Sequence, residues 1–117
     1  MSSDHTYHHL SLLIELLEQV RQRPGLFIGP VNDRAIWYLM CFLSGVHATL
    51  TALHLLPEIN DRSIRDRVIE QRGWKDNCNG PWVPMQQQGL PIETILDELV
   101  QIEIETLRTL QQQLIKE

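Results

Sequence analysis

Four residues near the start of the chain, Asp4, His5, His8 and His9, are of the types that bind metal. On a helix His5 shares a face with His8 and His9, and imidazoles at that spacing can hold zinc or nickel. No HExxH arrangement accompanies them, and solvated or capping histidines are the expectation, with no metal and no cofactor. His47 and His54 stand seven apart, two helical turns, and so face the same way on a continuous helix. A pH-sensitive pair is one reading, and histidines satisfied by a neighbouring helix are the expectation. Ser44 lacks the GxSxG elbow of a hydrolase nucleophile. Asp97, Glu98, Glu103 and Glu105 read as exposed helix acids, without the Glu-x-x-His motifs that a di-iron bundle requires. No catalytic residue is assigned, and the expectation is a protein that is not an enzyme.

The elements that must position these groups follow from periodicity and breaks. "YHHLSLLIELLEQVRQR" places Leu10, Leu13, Ile14, Leu17 and Val20 at helical spacing, the pattern of an amphipathic helix. Pro24 biases Arg23 away from helical backbone, so that helix stops near Gln22. The corner "RPGLFIGP" follows, with Arg23, Pro24, Gly25, Phe27 and Gly29 as its structural residues. Gly25 is expected to permit a tight reversal, and Leu26, Phe27 and Ile28 to plug the space between helices.

A second helix starts around "NDRA", with Asn32 or Asp33 as N-cap. Residues 35–57 carry no charge. About 20 apolar residues can span a bilayer, and Trp37 and Tyr38 resemble an interfacial belt. Ser44, His47, Thr49, Thr51 and His54 interrupt the run, so the expected role is a central helix buried on most sides, or one contributing to a homodimer interface. Gly45, Ala48 and Ala52 would let another helix approach closely. Cys41, inside this run, reads as a small hydrophobe. A third helix lies in "PEINDRSIRDRVIEQRGW", capped by Asn60 or Asp61, and carries an Ile64, Val68 and Ile69 stripe. Arg62, Arg65, Asp66 and Glu70 occupy its open side. Trp74 and Trp82 in "GWKDNCNGPWVPMQQQGLP" call for an ordered, packed loop. The last helix runs from "PIETILDELVQIEIETL" to the end, with acids in its early turns. The expected fold is all-α, a compact bundle of about four helices with the Trp/Pro/Gly-rich loop before the last one, and residues 1–117 form a single domain.

At 117 residues, 43% apolar and 21% charged, the composition is that of one ordinary globular domain. A formal charge of −5 argues against nucleic acid as partner, which would require a basic face. The acids concentrate late, seven against two bases after residue 75. Cys41 and Cys78 have no CxxC spacing and the N-terminus has no secretory pattern, so a reduced, cytoplasmic setting is expected, with no membrane association.

"EQVRQRPGLFIG" resembles the "RKRPGMYIG" phrase of DNA gyrase B and related type II topoisomerase ATPase domains. Aligned without gaps, Leu43 stands where that family carries its water-activating glutamate, and Val46 and His47 stand where its acid and asparagine are expected. No DxGxG-type loop follows, so the likeness stops at the corner. A wider resemblance is to small bacterial proteins that include immunity-type proteins found beside toxins. They share an RPxxYxG corner, a helix with a large residue followed by Gly, a tryptophan segment and an acidic final helix. Here these read "RPGLFIG", "CFLSG", "RGWKDNCNGPWVPM" and "ILDELVQIEIETL", with Phe27 in place of the usual tyrosine. The resemblance implies a protein-binding module of a bacterial cell that neutralises a toxin. Glu93, Asp97, Glu98, Glu103 and Glu105 would supply an acidic contact surface, and Trp74 and Trp82 aromatic anchors. A structural or regulatory homodimer joined through the 35–57 helix is the alternative.

Overall fold

A computed structural model describes residues 2–54, 61–74 and 80–116. It is all-α, with four long helices and two short ones. They are α1 (Ser2–Gln22), α2 (Gly25–Ile28), α3 (Ala35–Ala52), α4 (Asp61–Gln71), α5 (Trp82–Gln87) and α6 (Ile92–Lys116).

The central helix is α6. It packs against α1 most extensively, then against α4, α3 and α5. Ile95, Leu96, Leu99, Val100, Ile102, Ile104, Leu107 and Leu110 are all buried, so its apolar surface covers more than one stripe and can serve several neighbours at once. Two polar side chains are buried with them, and both are satisfied. The Thr106 hydroxyl donates to the Ile102 carbonyl at 2.7 Å. The Gln111 amide donates to the Tyr7 carbonyl at 3.0 Å and to Ser11 Oγ at 2.7 Å, tying α6 to α1. From α1, Leu10, Ile14, Leu17 and Val20 enter the core, and from α4, Ile64, Val68 and Ile69. These are the stripes the spacing predicts.

The expectation of a central, mostly buried helix over residues 35–57 is corrected. Only Ala35, Ile36 and Leu39 of α3 are buried. The physical reason is that an uncharged helix has no polar face to mark its outside, so composition alone does not orient it. The helix also ends sooner. His54 adopts φ 56, the left-handed backbone that stops a helix, while the Leu53 and His54 amides donate back to Thr49 and Thr51. His54 therefore lies beyond the helix, and the expected same-face pairing with His47 does not form.

At the start of α3, Asn32 acts differently from the expected N-cap. Its Oδ1 accepts the Arg34 amide at 2.9 Å, a turn two residues long, and Arg34 takes the cap position without a side-chain bond. The corner before it is itself a helical turn, since the Pro24 carbonyl accepts from Phe27 and Ile28 at 3.0 Å each. Gly25 has no positive φ, and a Cβ there would meet open space, so the reversal does not depend on it. Gly29, at φ 83, is the glycine the corner needs. Phe27 and Ile28 pack on the core as expected, but Leu26 does not and is 73% exposed.

Both later corners use one device. After α4, the Gly73 amide bonds to the Glu70 carbonyl and the Trp74 amide to that of Ile69, with Gly73 at φ 87. After α5, Gly89 and Leu90 repeat it onto Gln86 and Met85. This is the Schellman arrangement, which also presses the residue after the glycine onto the helix just ended. The expected loop before α6 is thus helical over Trp82–Gln87. Pro81 supplies a helix-compatible φ at its cap, and Pro84 lies in the first turn, where a missing N–H is tolerated. Residues 75–79 of that loop, with Cys78, and residues 55–60, with Asn60, lie outside the described residues.

Candidate functional site

Two surfaces flank α6. The first joins α4 to α6 through charge. The Schellman turn at Gly73 places Arg72 and Trp74 side by side over the acidic turns of α6. The Arg72 guanidinium donates to both oxygens of Glu98, at 2.6 and 3.1 Å. It also donates to Glu105 at 2.5 Å and to Gln101 at 3.1 Å. Trp74 Nε1–H donates to Glu98 at 3.1 Å. Arg65 pairs with Glu103 at 2.7 Å. On the other flank, Arg21 of α1 pairs with Asp97 at 2.7 Å and with Glu18 at 3.1 Å, and Asp97 also accepts from Gln101.

The hydrogen bonds from Arg72 hold the Glu98 carboxyl below the usual carboxylate range, outweighing the opposing effect of burial. The same contacts with Glu98 raise the already high pKa of Arg72. Asp97, Glu98, Glu103 and Glu105 are therefore half-buried rather than the exposed acids expected, and Arg65 is not a solvated charge of α4. Each of these four acids is engaged by an arginine of α1, of α4 or of the turn that follows α4. Glu93 is exposed. A cleft of about 610 Å³ lies over this network, lined by Gln71, Arg72, Trp74, Leu90, Thr94, Glu98 and Glu105. Its one cation is neutralised by two carboxylates, leaving little field with which to select a charged ligand.

The second surface is the open side of α3. Trp37, Cys41, Ser44, Gly45, Ala48 and Ala52 share a face at helical spacing and are all exposed. Cys41, which the sequence reads as a small hydrophobe, is an exposed free thiol on this face. Trp37 is 64% exposed and Leu53, just beyond the helix, 61%. Trp82 of α5 is half-buried and meets Trp37 with ring centroids 6.2 Å apart, tilted by 58°. Gly80, at φ 102, lies under the Trp82 ring, where an added Cβ would approach Cδ1 to 3.1 Å. Trp82 thus extends the α3 face as a patch of small and aromatic residues that carries no Asp, Glu, Lys or Arg; Tyr38, His47, Thr49 and Thr51 are the other exposed residues of the helix.

By length and composition α3 could cross a membrane. Its place in the fold opposes this. α1 precedes α3 and α6 follows it, and those two make the largest packing interface of the domain. A crossing would put them on opposite sides of the bilayer. Nor does α3 carry the Lys or Arg of a helix that lies on anionic lipid.

The remaining sequence candidates are dispersed. Among the described residues no group of three or more His, Cys, Asp or Glu side chains could hold a metal ion. His8 and His9 stand with rings 6.4 Å apart on adjacent positions of α1. The side chain of Asp4 lies outside the description. The corner residues form no part of the cleft, and Phe27 meets Phe42 of α3 edge-on at 6.1 Å. Trp37 was not among the sequence-derived site residues. The signal that could have found it is a tryptophan followed by small residues every three or four positions in an uncharged helix. No protein-family model, curated protein or solved structure matches the chain.

Proposed function

We propose that this chain is a non-enzymatic protein that works by associating with another protein surface. The observation supporting this is the uncharged, unpartnered face of α3 with the Trp37–Trp82 pair at its edge. A contiguous apolar face of this size on a domain with an otherwise complete core marks an interaction surface, and exposed tryptophans are frequent energetic anchors of such surfaces. The acidic face is the weaker candidate for the contact, because four of its five acids already serve arginines of the same chain.

Immunity-type neutralisation of a toxin is the specific form that the sequence resemblance suggests, in a bacterial cytoplasm. The homodimeric form is favoured by the neutrality of α3, which offers no charge for a basic toxin to complement. Capture from the producing cell, followed by reconstitution with each purified partner, tests the reading. Trp37→Ala is expected to weaken association at least tenfold, while Glu93→Lys leaves it nearly unchanged. A protein that neither self-associates nor binds any purified partner in a way that responds to Trp37→Ala would refute it.

A further inference from the structure

The occupant of the α3 face can be argued from its shape, its charge and its size, on the reading that association is what this chain does. The face reads, along the helix, Trp37, Cys41, Ser44, Gly45, Ala48 and Ala52. Reversed about a point between Ser44 and Gly45, this set maps onto itself. Trp37 falls opposite Ala52, Cys41 opposite Ala48, and Ser44 opposite Gly45. We propose that the α3 face is covered by α3 of a second copy of this chain, packed antiparallel about a two-fold axis that passes between Ser44 and Gly45.

Shape selects the direction. Antiparallel packing sets the one bulky side chain of each copy against the alanine at the far end of the other. Parallel packing would set Trp37 against Trp37 and Ala52 against Ala52, wedging the helices apart at one end. The small residues at the middle, where a Cβ on Gly45 would meet nothing within 4 Å, let the axes approach to roughly 8 Å. Antiparallel helix dipoles are favourable as well.

Charge selects the partner class. A face with no Asp, Glu, Lys or Arg has no formal charge to pair with a charged surface, whereas it is complementary to another neutral face such as its own. An isologous contact of this kind is also the commonest way for soluble chains to associate. The area suffices narrowly. An 18-residue helix is roughly 27 Å long and about 11 Å across, so its open half presents on the order of 500 Å² per copy. Trp82 and Leu53 enlarge this, and the total for two copies passes the roughly 1,000 Å² that a specific interface requires. A reversible dimer at micromolar concentration is expected.

The pairing makes a geometric demand that a merely sticky helix does not. Cys41 and Ala48 of opposite copies face each other, within the roughly 7 Å Cα separation that a disulfide tolerates. Cys41 and its own symmetry mate are offset along the axis by seven residues, about 10 Å, which is too far to bridge. The experiment uses the full chain in a Cys78→Ser background, with sedimentation over a wide concentration range and diamide oxidation at dimer-forming concentration. The protein is expected to dimerise. Only the variant carrying both Cys41 and Ala48→Cys should form a covalent dimer; Cys41 alone should not, and neither should Ala48→Cys combined with Cys41→Ser. Ala48→Glu should weaken the dimer by on the order of 100-fold, because a carboxylate would be buried without a partner. Ala48→Ser should dimerise, which together with an unchanged far-UV circular dichroism spectrum separates a lost contact from a lost fold.

A monomer at every concentration would overturn the proposal, as would a dimer insensitive to Ala48→Glu. A Cys41-to-Cys41 crosslink would overturn the antiparallel pairing. A monomer that floats with neutral phosphatidylcholine vesicles would assign the face to lipid instead. A monomer whose α3 face binds a different purified protein would overturn the second-copy proposal and leave the association reading standing.

Discussion

Arg72 is the residue at which the packing of α4 on α6 can be tested most directly. Arg72→Met keeps much of the aliphatic stem and removes the fork that engages Glu98, Glu105 and Gln101. Glu98 would keep Trp74 Nε1–H as its remaining donor. Breaking a fully buried ion pair costs about 3–5 kcal/mol, and breaking an exposed one about 0–1 kcal/mol. The Arg72 and Glu98 side chains are each 20% exposed, so a loss of about 2 kcal/mol is expected. With a urea m-value of about 1.5 kcal/mol/M, the midpoint should fall by about 1.3 M.

The pH dependence supplies the second arm. Glu98 has a folded pKa below its unfolded one, so its contribution is fully present above about pH 4.3. It is lost as pH falls through the depressed folded value. The gap between wild type and Arg72→Met should therefore be full at pH 7 and narrow below about pH 4. Raising the pH toward 9 should leave it unchanged, because the pKa of Arg72 is itself raised. Arg72→Lys, which keeps the charge without the fork, should recover only part of the loss. A deficit below about 0.5 kcal/mol for Arg72→Met, within the range of an exposed pair, or an equal deficit at pH 7 and pH 3, would refute the assignment of these acids to holding the fold together.

Gly73→Ala forces a side chain into φ 87 and should destabilise the domain by about 1–2 kcal/mol. The emission of Trp74 should change in parallel, as that residue depends on the turn for its place on α6. Gln111→Leu removes two hydrogen bonds that tie α6 to α1, with an expected loss of about 1–2 kcal/mol seen as a lower thermal midpoint. Leu39→Ala should cost about 2–4 kcal/mol at a buried site of α3. At concentrations where the chain is monomeric, Trp37→Ala on the opposite side should cost well under half of that in urea denaturation. Equal losses would mean that α3 is packed on both sides within one copy.

Much of the architecture can be read from residue order because the relevant physics is local. The end of α1 at Gln22 follows from Pro24, the stripes of α1 and α4 follow from helical spacing, and the all-α class follows from amphipathic runs without alternation. The corner was legible as a corner, though its glycines exchanged roles: Gly29 carries the unusual backbone and Gly25 does not. The acids of α6 were legible as a charged band on a helix. Their occupation by Arg21, Arg65 and Arg72 was not, because those arginines lie 26 to 76 positions away from the α6 acids they engage.

Residue order thus determined the four long helices and which of them possess a polar side, but not the short helical turns of α2 and α5. It left α3 undetermined, because a helix with no charge gives no instruction about which way it turns or how deeply it sits. Tertiary structure made that choice. α6, with a broad apolar face opposite its charged band, competes better for the centre, since it buries surface against α1, α3, α4 and α5 together. α3 is thereby displaced to the flank with only Ala35, Ile36 and Leu39 buried, and the proposed interaction surface arises from the outcome of that competition.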